Sequence, residues 1–171
     1  MAWLNLTAVL SPIPWAVVGA AATRLYMPER ATQDLDVAIR AQDAPTVREK
    51  LARARFTHVG KLSIGRSTWR APDGQTIDVI EGREEWWDAA LREAQTNRDA
   101  QGLPILPLRF LALMKFQSGR VQDIADITRM LGQADPSMLD AVRALFKQFA
   151  PADLSDLESL ITLGKLETGA Q

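Results

Sequence analysis

Val17-Val-Gly19-Ala20-Ala-Ala-Thr-Arg-Leu-Tyr-Met-Pro28-Glu-Arg30-Ala-Thr32-Gln-Asp34-Leu-Asp36-Val37 is the stretch on which the fold reading turns. Trp15 to Gly19 is a short apolar run after Pro12 and Pro14, closed by glycine, and it predicts a buried strand. Ala20 to Met27 is alanine-rich and predicts a helix stopped near Pro28. Leu35 to Ile39 alternates apolar and polar residues and predicts a second strand. Residues two apart in a strand face the same way, so Asp34 and Asp36 project together while Leu35 and Val37 turn into the core. Two carboxylates on one face repel each other unless a cation sits between them. The arrangement therefore presents a hard-cation site, because magnesium takes oxygen ligands.

A third carboxylate, Asp78, lies between Ile77 and Val79 in another expected strand, Thr76 to Ile80. If the two strands are neighbours, three carboxylates converge. Such a cluster suits metal ions that bridge triphosphate oxygens and lower the pKa of an attacking hydroxyl, with Asp78 as ligand or general base. Gly19, at the strand-to-helix turn, lets the backbone approach a ligand, and the helix N-terminus after it favours phosphate.

Working outward, Thr46 to Phe56 carries Val47, Leu51 and Ala54 at helical spacing, and Lys61 to Arg70 alternates as a strand. Pro72-Asp73-Gly74 is a hairpin cue. Glu84 to Gln95 predicts an amphipathic helix, and Asp99 to Leu106 a last short strand. From Pro107 the pattern is helical: a helix from Leu108, another ending at Gly132, then Pro136 to Phe149 and Ala152 to Leu163. A mixed sheet followed by helices is an α+β organisation. The expected division is an α/β core over 1–106 and a helical region over 107–171 packed on it.

With 171 residues, 47% of them apolar, the chain can bury a substantial core. It has no cysteine, which removes disulfides, thiolate zinc and a cysteine nucleophile. One histidine, His58, excludes a His-rich metal site. A formal charge of −1 does not supply the field of a dedicated nucleic-acid binder. No apolar run approaches the roughly 20 residues of a membrane helix, and Met1-Ala-Trp-Leu lacks a signal-peptide layout. The expectation is a cytoplasmic protein with no membrane contact.

Val18-Gly19-Ala20, thirteen residues, Asp34-Leu35-Asp36-Val37 and a later Ile77-Asp78-Val79 resemble the nucleotidyltransferase superfamily, the polymerase-β-like fold. The wording Arg30-x-Thr32-x-Asp34-x-Asp36 is similar to the bacterial branch that includes AbiEii-type toxins. So is the later stretch holding Lys115, Arg120, Asp123 and Asp126. The resemblance spans residues 15 to 131. It implies transfer of a nucleoside monophosphate from an NTP, with Mg2+ or Mn2+, to a hydroxyl of RNA, protein or a small molecule. Asp34, Asp36 and Asp78 are then the catalytic and metal-binding residues. Gly19, Ala20, Arg30, Thr32 and Lys115 are the nucleotide-binding ones. It also permits a toxin–antitoxin or defence role with an antitoxin or regulatory protein as partner. The family carries Gly or Ser where this chain has Ala20, which offers phosphate no hydroxyl. The alternative is thus a catalytically weakened module of the same fold that acts through protein contacts.

Several residues carry two readings. Arg30 lies near phosphate or orients Asp34, or is an exposed arginine. Thr32 bonds the loop backbone or forms a turn. Lys115 is a point charge for phosphate or a snorkelling surface lysine. Asp123 and Asp126, three apart on one helix face, pair with Lys115 or Arg120 or are ordinary surface charges. Arg48, Lys50, Arg53 and Arg55 form a solvated face or an RNA-attracting one. Trp86 and Trp87, about 100° apart on a helix, are not expected to share one core: one stacks on a base or sits at an interface, or each packs on its own side. His58 is expected at a helix-to-strand junction.

Overall fold

Alternating buried and half-buried residues along Leu35–Arg40 (β2) and Thr76–Gly82 (β5) make these the central strands. They pair in parallel. The other strands are Ala16–Val17 (β1), Thr57–Ser63 (β3) and Arg66–Arg70 (β4), and the sheet order is β1-β2-β5-β4-β3. All remaining pairings are antiparallel, so the sheet is mixed. The computed structural model describes residues 2–28, 32, 34–63 and 65–169. Its helices are Thr7–Leu10 (α1), Gly19–Ala22 (α2), Ala44–Arg53 (α3), Trp87–Ala94 (α4), Leu108–Ser118 (α5), Val121–Gln133 (α6), Pro136–Phe149 (α7) and Leu154–Thr168 (α8).

The chain divides into two compact units, 1–22 with 31–106, and 23–30 with 107–171. In the first, Leu35, Val37, Ile39, Ile77 and Val79 are buried together with Val47 and Leu51 of α3 and Leu91 of α4. Trp87 donates from Nε1 to the Ile39 carbonyl at 2.8 Å, and its indole lies where a Cβ on Gly82 would stand. In the second, Phe116 of α5 meets Phe146 of α7 edge-on, 5.4 Å between ring centres. Helices α6 and α8 touch backbone to backbone: a Cβ on Gly132 would lie 2.3 Å from the Gly164 carbonyl oxygen. Asp135 caps α7 by accepting from the Met138 N–H at 2.9 Å. No helix among the described residues is long and apolar enough to cross a membrane.

Four sequence expectations change. The run 61–70 is not one strand but parts of β3 and β4, with Gly65 at φ +79° between them. Ala20 to Met27 forms only the single turn α2 and a 3₁₀ turn at Thr23–Leu25, because so short a segment repays little of the cost of helix nucleation. Asp99 to Leu106 yields isolated bridges only, Val17 to Ile105 and Arg98 to Pro104. Pro104 has no N–H to offer, and both backbone groups of Ile105 bond to Asn97, at 2.8 Å each. Trp86 and Trp87 are both buried, with ring centres 4.8 Å apart. Trp86 is the residue before the helix and itself has helical φ and ψ, so the two indoles diverge as neighbours on a helix do and each is covered all the same.

Candidate functional site

Asp36 stands directly opposite Asp78 in the parallel β2–β5 register, flanked by the buried pairs Leu35–Ile77 and Val37–Val79. Because the apolar neighbours claim one face, both carboxylates emerge half-buried on the other. Adjacent strands lie about 4.8 Å apart, and like charges directly opposite destabilise a sheet. The local structure answers that repulsion with β4. The Ala71–Gln75 turn, closed by Ala71 N to Gln75 O at 2.8 Å and Gly74 N to Ala71 O at 2.9 Å, sets Thr68 opposite Asp78. Thr68 donates from Oγ1 to Asp78 Oδ1 at 2.6 Å. Arg66, two residues earlier on the same face and opposite Ile80, extends across β5. Its Nη2 donates to Asp36 Oδ1 at 3.3 Å, while its Nε is buried without a hydrogen-bond partner among the described residues.

Gly19 follows β1, whose Ala16 and Val17 pair with Ala38 and Val37. The neighbouring Val18 N–H donates to the Asp36 carbonyl at 2.9 Å, which brings the bend against the carboxylate. Gly19 has φ +62°, and a Cβ there would stand 2.0 Å from Asp36 Oδ2. Only a residue without a side chain fits.

The other expected site residues fall elsewhere. Asp34 is exposed, one residue before β2 begins, and Thr32 Oγ1 lies 3.4 Å from both its N–H and its carbonyl oxygen. Arg30 lies outside the described residues. Ala20 is half-buried within the one-turn α2. Among the described residues, no three carboxylate or imidazole side chains gather closely enough to hold one metal ion. The pair Asp36–Asp78 still fits magnesium, which is commonly held by one or two carboxylates plus waters and phosphate oxygens. Hard oxygen donors in register beside a side-chain-free glycine are that donor set.

Lys115, read from sequence as a phosphate ligand or a surface lysine, is neither exposed nor unpaired. It is 4% exposed, and its Nζ donates to Asp123 Oδ1 at 2.7 Å and to Asp126 Oδ2 at 2.9 Å. Asp126 is 0% exposed and Asp123 5%. Ser118 and Arg120 also donate to Asp123. Burial pushes the Asp123 carboxyl up, but hydrogen bonds from Lys115, Ser118 and Arg120 outweigh it and hold the group below its usual range. An ammonium already committed to two buried carboxylates has little left to give phosphate.

The α3 charges are largely engaged too. Arg48 pairs with Glu81, Arg53 with Glu49, and Lys50 donates to the Ser11 carbonyl. His58 sits on β3, exposed, with its ring edge-on to Trp69 at 5.0 Å. A cavity of about 340 Å³ opens where β2 and β5 end, lined by Arg40, Gly82, Arg83, Glu84, Trp87 and Asp88, and neither Asp36 nor Asp78 reaches it.

Sequence reading missed Arg66 and Thr68. The signal was present: with Pro72-Asp73-Gly74 as the turn, counting back from the hairpin pairs Thr68 with Asp78 and puts Arg66 on the same face.

No protein-family profile matches the chain, and no curated protein sequence matches it. Solved structures do. A crystal structure of ANT(2'')-Ia in complex with adenylyl-2''-tobramycin matches at a TM-score of 0.51 with 11% identity, over 92% of this chain and 93% of that one. A solution structure of the antibiotic-resistance factor ANT(2'')-Ia gives 0.49 and 14%, over 92% and 85%. The lincomycin-bound lincosamide antibiotic adenylyltransferase LnuA gives 0.45 and 14%, over 69% and 85%. What the chain shares with the first of these is its architecture, a nucleotidyltransferase-like α+β fold of a five-stranded mixed sheet followed by a helical C-terminal region.

Proposed function

We propose that this protein is a metal-dependent nucleotidyltransferase that moves a nucleoside monophosphate from an NTP to a hydroxyl group. The observation that carries the reading is the Asp36–Asp78 pair, in register on one sheet face against the Gly19 bend. Asp36 and Asp78 would hold a divalent cation, with Asp34 exposed at the entry to the strand. A bound magnesium ion supplies charge neutralisation on the triphosphate and a lower pKa for the acceptor hydroxyl. Thr68 fixes one oxygen of Asp78, and Oδ2 makes no hydrogen bond among the described residues. Where Asp78 acts as general base rather than as ligand, that oxygen would receive the acceptor's proton as the new O–P bond forms and the bond to pyrophosphate breaks. Gly19 leaves the backbone open to the phosphates. Thr32 shapes the loop before Asp34, and Ala20 and Arg30 stay with the nucleotide by resemblance.

The test is thermal denaturation with ATP, CTP, GTP and UTP, with and without Mg2+ or Mn2+, since a ligand that binds the native state must raise the melting temperature. A metal-dependent rise lost in Asp36→Ala is expected. Labelled NTP should then pass its label to an acceptor, and Asp78→Asn, which still accepts from Thr68, should slow transfer about 10²–10⁴-fold. ANT(2'')-Ia and LnuA are described with tobramycin and lincomycin, so such antibiotics belong among the acceptors assayed, beside RNA and protein. Growth arrest on expression, abolished by Asp36→Ala, is the corresponding test of the toxin role.

The second reading, a weakened module acting through protein contacts, is favoured by Ala20 and by the guanidinium already resting on Asp36. Failure of every nucleotide to raise the melting temperature would select it.

A further inference from the structure

Arg66 spends a long side chain to cross one whole strand and reach Asp36 Oδ1 at 3.3 Å. The reach is costly: it orders a flexible side chain and leaves Nε buried with no acceptor among the described residues. Arg66 is no rim charge either, since its side chain is 32% exposed against 19% for Asp36. What offsets those costs is charge. Asp36 and Asp78 face each other in register, and a positive group beside Asp36 relieves their repulsion. A divalent cation held by the same pair draws on the same carboxylate and supplies the same relief.

We propose that Arg66 is a built-in counter-cation whose guanidinium occupies Asp36 in the metal-free protein and must leave for a divalent cation to bind. The inference rests on Asp36 and Asp78 being the cation-holding pair. Arg66 is thereby a positioning residue that sets how much cation the site needs. Its two roles have opposite signs, since removing it weakens the empty protein and strengthens cation binding. A residue that only supported the fold would move both the same way.

The experiment uses the full chain with Arg66→Gln, Arg66→Lys and, as control, Arg70→Gln, which removes an exposed charge from the same strand and face without touching Asp36. Free Mn2+ is counted by electron paramagnetic resonance during titration, and each protein is melted without metal. Arg66→Gln is expected to bind Mn2+ about tenfold more tightly than the parent and to melt at a lower temperature when metal-free. Arg66→Lys should fall between them, and Arg70→Gln should match the parent. Equal Mn2+ affinity in parent and Arg66→Gln overturns the inference and leaves the nucleotidyltransferase reading standing. So does an equal gain in Arg70→Gln, which reports only a diffuse field. Absence of Mn2+ binding in parent and Arg66→Gln alike overturns both.

Discussion

Gly19 carries two constraints at one position. Its φ of +62° is a conformation L side chains rarely adopt, and the space a Cβ needs is taken by Asp36 Oδ2. Gly19→Ala should cost about 1–3 kcal/mol from the backbone alone, and it should also push the Asp36 carboxylate off its place beside Asp78. Chemical denaturation followed by circular dichroism, paired with Mn2+ titration, checks both. An alanine variant that unfolds and binds Mn2+ like the parent contradicts the geometry. The same residue shows what sequence conveys about a site. The glycine and Asp36 are legible as types, and their alternation gives the face. That Oδ2 of Asp36 is what fills the missing side chain's volume follows from β1 pairing with β2, which no spacing along the chain states.

At the scale of elements, the expectations that held were those with a long or strongly marked pattern. The strands around Asp36 and Asp78 and the helices after Pro107 repeat their period several times, so neighbouring context has little room to override it. Short segments fared worse. The single turn α2 and the lone bridge at Ile105 carry too few backbone hydrogen bonds for local preference to decide. Lys115 divides the expectations: its pairing with Asp123 and Asp126 was among them, and its burial was not. Lysine on a helix reads as surface, yet α6 packs against α5 and supplies two carboxylates to it. Removing one member of a buried ion network leaves the others uncompensated, so Lys115→Met should destabilise the protein by about 3–5 kcal/mol. Urea unfolding measures it. A loss below 1 kcal/mol, the scale of an exposed pair, would mean that the ammonium is not committed to Asp123 and Asp126.

For the molecule as a whole, the Lys115 network sets an acid limit. The Asp123 carboxyl is held below its ordinary value in the folded state. A lowered folded pKa means that the unfolded chain binds the proton more readily as pH drops. The stabilisation is therefore present above the unfolded value, near pH 4, and is lost as pH falls through the folded one. The melting temperature should change little through this group between pH 7 and 5, then fall below about pH 4. Asp123→Asn should start lower at pH 7, with the gap to the parent narrowing in acid. Calorimetry from pH 7 to pH 3 reads this directly, and a gap that widens in acid contradicts the sign. Asp135 and Glu158 are also held low, by Ser137 and by Arg143. Both are exposed and contribute far less after screening.

From its residues alone the chain declared an α+β organisation, the order of its main elements, and the faces on which Asp36 and Asp78 lie. Periodicity and turn chemistry are local, and local rules suffice for them. Folding decided which strands became neighbours, and with that the opposition of two carboxylates, the reach of Arg66 across β5 and the burial of Lys115. The first two join segments far apart in the chain and the third joins two successive helices, and all are fixed by how apolar faces pack rather than by the order of residues within any one segment.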